Sequence, residues 1–214
     1  MADHLLYEEE DAPEVSRPIL GEGRAGDQTE KIQFFLKGYY RPDAKIGVAD
    51  RQGYLGGSDA AAIVGVSKWK SPFQLYLEKT GQAEPEDLSD NERVQWGTRM
   101  EPVIATEYVK RTGKHARRVT RLIRDKKQPY LAGHIDRRIL NENAILECKN
   151  VGVGSASGWG EPGSGEIPSY YLPQVHHYLM ITGAAYCDVA ALVGGNEFRV
   201  YTVVRDQEYI ELLR

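Results

Sequence analysis

The stretch from Tyr130 to Lys149, YLAGHIDRRILNENAILECK, decides how this chain is read. Two runs rich in strand-forming residues, Tyr130 to Leu140 and Ala144 to Lys149, flank the turn-forming tripeptide Asn141-Glu142-Asn143. So short a connection makes the two runs antiparallel hairpin neighbours. Side chains alternate across a strand, so Glu147 and Lys149 share one face while Leu146 and Cys148 point the other way. Asp136 lies on the first run. The expectation is two carboxylates on adjacent strands, with an ammonium two residues beyond one of them.

Working outward, Arg117 to Arg124 reads as a third strand of the same meander. Before it, Asn91 to Thr112 carries apolar residues at Val94, Met100, Val103, Ile104 and Val109 and is stopped by Gly113, the pattern of a long helix. Ser71-Pro72 supplies a cap and a first-turn proline for a helix over Phe73 to Thr80, closed by Gly81, and Ser58 is placed to cap a short helix through Ala60, Ile63 and Val64. After the hairpin, Val151 to Glu166 is a Gly/Ser-rich loop, and Pro168 to Thr182 is a helix ended by Gly183. Strands over Ala185 to Val193 and Glu197 to Val204 join through Gly194-Gly195-Asn196, and a last helix starts near Asp206. Helix, three strands, helix, two strands gives an α/β (α+β) domain with a mixed central sheet flanked by helices. Residues 1–30 are acidic and without sustained periodicity, so they read as a flexible arm, with the domain proper over 31–214.

Composition narrows the function classes. No apolar run is long enough to cross a membrane, and Asp3 and Glu8 to Asp11 occupy the place where a signal peptide needs basic and then apolar residues. Two cysteines without zinc spacing suit a reduced compartment, so the expected location is cytoplasmic. The net charge of −4 is uneven: residues 1–30 hold nine acidic and two basic side chains, and the rest of the chain sums to +3. Eight Lys/Arg fall between Arg111 and Lys127 against Asp125 alone, a stripe that includes Arg117 and Arg118 and suits a phosphate backbone. A solvated face is the plain alternative.

The chemistry implied by the central hairpin is specific. Like charges on adjacent strands repel, and a divalent cation removes the conflict; oxygen-only donors favour Mg²⁺, with Mn²⁺ possible, over zinc. Phosphodiester hydrolysis needs an activated water and neutralisation of charge on the phosphorus oxygens, which carboxylate-held metal supplies, while Lys149 orients the water or lowers its pKa. A cross-strand charge pair on a surface hairpin is the competing reading, since Glu-x-Lys is common. Glu101, in Gly97-Thr98-Arg99-Met100-Glu101, adds a carboxylate on the preceding helix, with Gly97 permitting close backbone approach. Gln174 and Tyr178, four apart, share a face of the later helix. His176 and His177 are adjacent on that helix and point apart, which makes them poor joint ligands.

Six blocks in order carry a family resemblance: Leu55 to Gly65, Ser67-Lys68-Trp69-Lys70-Ser71-Pro72, Gly97 to Glu101, Gly133-His134-Ile135-Asp136, Leu146-Glu147-Cys148-Lys149, and Pro173-Gln174-Val175-His176-His177-Tyr178. In these the chain resembles the YqaJ-type viral recombinase nucleases, the lambda-exonuclease-like group of PD-(D/E)xK enzymes, although Ile135 stands where the motif's proline would be. The resemblance implies a restriction-endonuclease-like core and Mg²⁺-dependent 5′→3′ digestion of linear double-stranded DNA, leaving 3′ overhangs for recombination. It implies Asp136 and Glu147 as metal ligands and Lys149 serving the attacking water. Glu101 would hold that water or the lysine, and Gln174 would support the site. Arg51, seven residues before Ser58, would with it hold a terminal 5′ phosphate. Implied partners are DNA ends, further copies of the chain in a trimeric ring, and a single-strand annealing protein. An endonuclease on the same fold and a non-catalytic end-binding module are the alternatives.

Overall fold

The computed structural model describes residues 51–214; the expected acidic arm and the segment before Arg51 lie outside the described residues. Its centre is a five-stranded mixed sheet in the order β1-β4-β5-β6-β7, with β1 Ala116–Arg118, β4 Arg137–Ile139, β5 Ala144–Val151, β6 Tyr186–Val193 and β7 Glu197–Val204. Only β5 and β6 are parallel. The helix Leu172–Thr182 (called α4 below) makes the crossover between them that a parallel pair requires. The expected mixed α/β architecture is the one observed.

Helices cover both faces. On one, α3 (Glu92–Thr112) lays Ile104, Ala105 and Tyr108 over Ile139, Ala144, Leu146 and Ala190. Asn91 Oδ1 accepts the Arg93 and Val94 N–H groups at its start, and Gly113 ends it in the left-handed region at φ 72°. Val94 and Val103 face solvent, so the inward stripe is narrower than their periodicity implied. On the other face α4 buries Val175, Leu179 and Ile181 against Ile145, Cys187, Val189 and Ala191. α5 (Gln207–Leu212), capped by Asp206, adds Ile210. Two short helices, α1 (Gly57–Ile63) and α2 (Pro72–Lys79), come first among the labelled helices, with α1 against α4.

Four local expectations change. Arg117 to Arg124 is not one strand, nor is Tyr130 to Leu140. β1 and β4 join the main sheet, while β2 (Ile123–Arg124) and β3 (Ala132–Gly133) form a separate two-stranded sheet. The split is fixed by a distant partner, because Leu55 bridges Leu131 and exchanges backbone bonds with Tyr130 and Ala132. α4 starts at Leu172, since Pro168 to Tyr171 form a turn closed by the Tyr171 N–H on the Pro168 carbonyl. α1 is capped by Gly56, not Ser58: Asp59 Oδ2 accepts the Gly56 N–H at 2.9 Å while the Gly56 carbonyl accepts the Asp59 N–H.

Candidate active site

β4 and β5 pair with Arg137 opposite Leu146, and extending the register by one residue sets Asp136 beside Glu147. Their side chains therefore leave the sheet on one face, the α4 face, midway along β5. Asp136 Oδ2 accepts the Cys148 N–H at 2.8 Å, which locks the carboxylate across the hairpin. Lys149 Nζ donates to Glu147 Oε1 at 2.7 Å and to Gln174 Oε1 at 2.9 Å, and Gln174 Nε2 donates back to Glu147 Oε1 at 3.2 Å. These three residues, from β5 and α4, form a closed triangle.

Gln174 is itself held. Its Nε2 donates to the Tyr178 hydroxyl at 3.1 Å one turn along α4, and the Tyr178 ring fills a slot that only glycine leaves open. A Cβ at Gly57 would lie 2.4 Å from that ring and one at Gly133 2.9 Å. Both glycines fall in the blocks that carried the family resemblance, and their service to Tyr178 was invisible from sequence.

The electrostatics are those of a site short of positive charge. Burial, then the Glu147 charge and then Glu101, raise the Asp136 carboxyl to about 8 against the Cys148 N–H and Lys149. Among the described residues none forms an ion pair with it. Burial pulls the Lys149 ammonium down, but the Glu147 charge and hydrogen bond outweigh it, so Lys149 titrates above its ordinary value and stays protonated.

Residues 48–185 match the YqaJ-like viral recombinase domain. The chain belongs to that family. It is 39% identical over 166 residues to the uncharacterized protein YqaJ of Bacillus subtilis (strain 168), covering 77% of this chain and 51% of that protein. It thus spans about half the length of this curated relative. The YqaJ-like fold is similar to that of an alkaline exonuclease, LHK-Exo, from Laribacter hongkongensis, with TM-score 0.58 and 16% identity over 78% of this chain and 84% of that one. A phage related exonuclease from Haemophilus somnus 129PT gives TM-score 0.54 and 12% identity over 75% and 88%. At these identities the likeness is one of fold.

Other expected residues of this YqaJ-like chain fall differently. Glu101 reaches neither Lys149 nor Gln174; it pairs with the buried Arg137, next to Asp136 in sequence, and so acts on the site through charge. A Cβ at Gly97 would meet no atom of a packed neighbour within 4 Å among the described residues, so close approach does not explain this glycine. Arg51 is exposed; burial first, and then the Arg51 charge, lower the His134 imidazole. Lys79 was missed: its Nζ donates to the Arg51 and Tyr54 carbonyls at 2.6 and 2.7 Å and pairs with Asp59 at 2.8 Å, fixing the Arg51 backbone. Ser58 is exposed at the second position of α1. Arg117 and Arg118 point to opposite faces: Arg117 lies opposite Arg138 on the Asp136 face, and Arg118 opposite Arg137 on the α3 face. His177 is buried with Nε2 on the Ala132 carbonyl, and His176 has Nδ1 on the Leu172 carbonyl. No helix among the described residues is long and apolar enough to cross a membrane.

Proposed function

We propose that this chain is a divalent-metal-dependent DNA exonuclease acting 5′→3′ on linear duplex and leaving 3′ single-stranded overhangs for phage-type recombination. The observation that carries this reading is the closed Lys149–Glu147–Gln174 triangle beside an Asp136 carboxyl that has no cation partner among the described residues.

The donor set fits Mg²⁺ or Mn²⁺, which take oxygen ligands. Among the described residues no three His, Cys, Asp or Glu side chains form a ready metal cage. That agrees with Mg²⁺ chemistry, where one or two carboxylates suffice and waters and substrate phosphate complete the shell. Asp136 and Glu147 would hold the ion, and when bound it supplies positive charge at the scissile phosphate and acidifies a water. Lys149, permanently charged and aimed by Gln174, orients that water and offsets charge on the phosphorus oxygens. Gln174 and Tyr178 keep the ammonium in place, and the Glu101–Arg137 pair braces the strand bearing Asp136. Arg51, with its backbone held by Lys79, would favour the terminal phosphate of a 5′ end through charge-assisted hydrogen bonds. By resemblance the working form is a trimeric ring around DNA that passes its product to a single-strand annealing protein.

The test is digestion of end-labelled linear duplex with Mg²⁺ beside a closed circular control. Linear DNA is expected to be lost and circular DNA kept, with activity absent in chelator and in Asp136→Ala, Glu147→Ala and Lys149→Ala. A 5′-phosphorylated end is expected to be used faster than a 5′-hydroxyl end, and Arg51→Ala to remove most of that difference. Equal cutting of circles would replace the exonuclease with an endonuclease, and activity in chelator would remove the metal.

A further inference from the structure

Trp69 keeps two thirds of its surface in water, at 66% exposure, yet its position is fixed. Ser67 Oγ accepts the N–H groups of both Trp69 and Lys70 at 3.2 Å, which stiffens the loop before α2. The indole meets the Tyr170 ring at 5.4 Å between centroids and 84° between planes. Tyr170 and Tyr171 lie 4.5 Å apart, and Lys149 Nζ stands 4.6 Å from the centroid of Tyr171. Residues from three segments thus form a continuous track from open surface to the ammonium of the site. Lys68 Nζ, 4.2 Å from the Tyr170 centroid, places a second cation beside the middle of the track. Packing accounts for Tyr170, which is buried, but not for Trp69, whose ring the core does not use.

An exposed indole backed by aromatic rings that lead to the site, with one ammonium beside the track and another at its inner end, matches the chemistry of unpaired DNA, whose bases stack on rings while the phosphates between them meet cations. Its inner end is the proposed cutting site itself, which sets the occupant. We propose that Trp69, backed by Tyr170, is a stacking platform for unpaired bases of the strand being cut, a few nucleotides from the scissile phosphate. The identity of that strand rests on the nuclease reading; the platform itself does not.

The experiment is binding of fluorescein-labelled oligothymidylate to the full chain in chelator, where no hydrolysis occurs, for wild type, Trp69→Ala and Trp69→Phe. Base stacking on an aromatic side chain predicts an affinity loss of about 5- to 150-fold in Trp69→Ala. Trp69→Phe should retain most of the affinity, and the unfolding temperature of both variants should match wild type. Equal affinity in Trp69→Ala, no oligothymidylate binding by wild type, or a phenylalanine variant as weak as alanine would overturn the platform. A Trp69→Ala effect confined to self-association in sedimentation would assign the ring to a protein contact and overturn it too. Duplex digestion in Mg²⁺ is scored separately. A protein that binds through Trp69 but digests nothing keeps the platform and loses the nuclease; an active nuclease whose binding ignores Trp69 does the reverse.

Discussion

Replacing Asp136 by asparagine is expected to stabilise the metal-free protein. In the folded chain this carboxyl is pushed to about 8 by burial, the Glu147 charge and Glu101, against an ordinary value of 3.8. Between those pH values the native state keeps a proton that the unfolded chain has released, so stability falls as pH rises through the interval. Each unit of difference is worth about 1.4 kcal/mol. At neutral pH about three units have been crossed, a ceiling of about 4 kcal/mol; structural relaxation and water penetration leave on the order of 2 kcal/mol. In Asp136→Asn the amide would keep the shape and an oxygen for the Cys148 N–H but never ionise. Urea unfolding in chelator between about pH 5 and 9 (ordinary buffer conditions, on both sides of neutrality) measures the effect. The variant should exceed wild type by a margin that grows with pH and levels off above about 8. Added Mg²⁺ should then raise wild type more than the variant, because a ligand of the native state stabilises it by mass action. A margin independent of pH, or a variant less stable than wild type at the alkaline end, would refute the reasoning.

Gln174→Leu keeps volume but removes the bonds to Lys149 and Glu147; steady-state digestion should show kcat down about 10- to 100-fold with little change in DNA affinity, and unchanged kcat would make the glutamine a bystander. Gly57→Ala drives a Cβ into the Tyr178 ring and should cost about 1–3 kcal/mol by overpacking, read as a lower melting temperature; an unshifted melt would mean the ring yields freely. Arg117→Glu should weaken duplex binding on every sequence and flatten its salt dependence by about one phosphate contact, whereas Arg118→Glu, on the α3 face, should change neither. Equal effects in filter binding across a salt series would put both faces on DNA.

What could be read from the chain was what is local in it. The hairpin followed from two strand-like runs and a three-residue turn, and the parity of Glu147 and Lys149 followed from strand geometry alone. The cap at Ser71, the helix starts near Asn91 and Asp206, and the left-handed stops at Gly113 and Gly183 carry their signal within four residues. What stayed hidden depends on partners far along the chain. Leu55 dividing the strand-like runs, Lys79 holding the Arg51 carbonyl from 28 residues away, and Arg137 taking Glu101 from 36 away leave no local trace. The cap of α1 was misplaced for a different reason: glycine at Gly56 has no capping side chain, and the signal sat at Asp59 instead.

β5 also explains why the site is where it is. Its first half is buried on both faces, Ile145 toward α4 and Leu146 toward α3, which rigidly fixes the strand. At Glu147 and Lys149 charged side chains replace apolar ones on the α4 face, before Val151 returns to the core, while Cys148 continues to pack against α3. A carboxylate there is anchored by the core behind it and repelled by Asp136 beside it. The fold thus accepts a local cost that Lys149 offsets only in part. Had the site been built for stability, Asp136 would have an arginine partner, and Arg137, one residue away, is instead turned through the strand to Glu101. The neighbouring cation is spent on the opposite face, and among the described residues no ion pair forms at Asp136, the position facing Glu147.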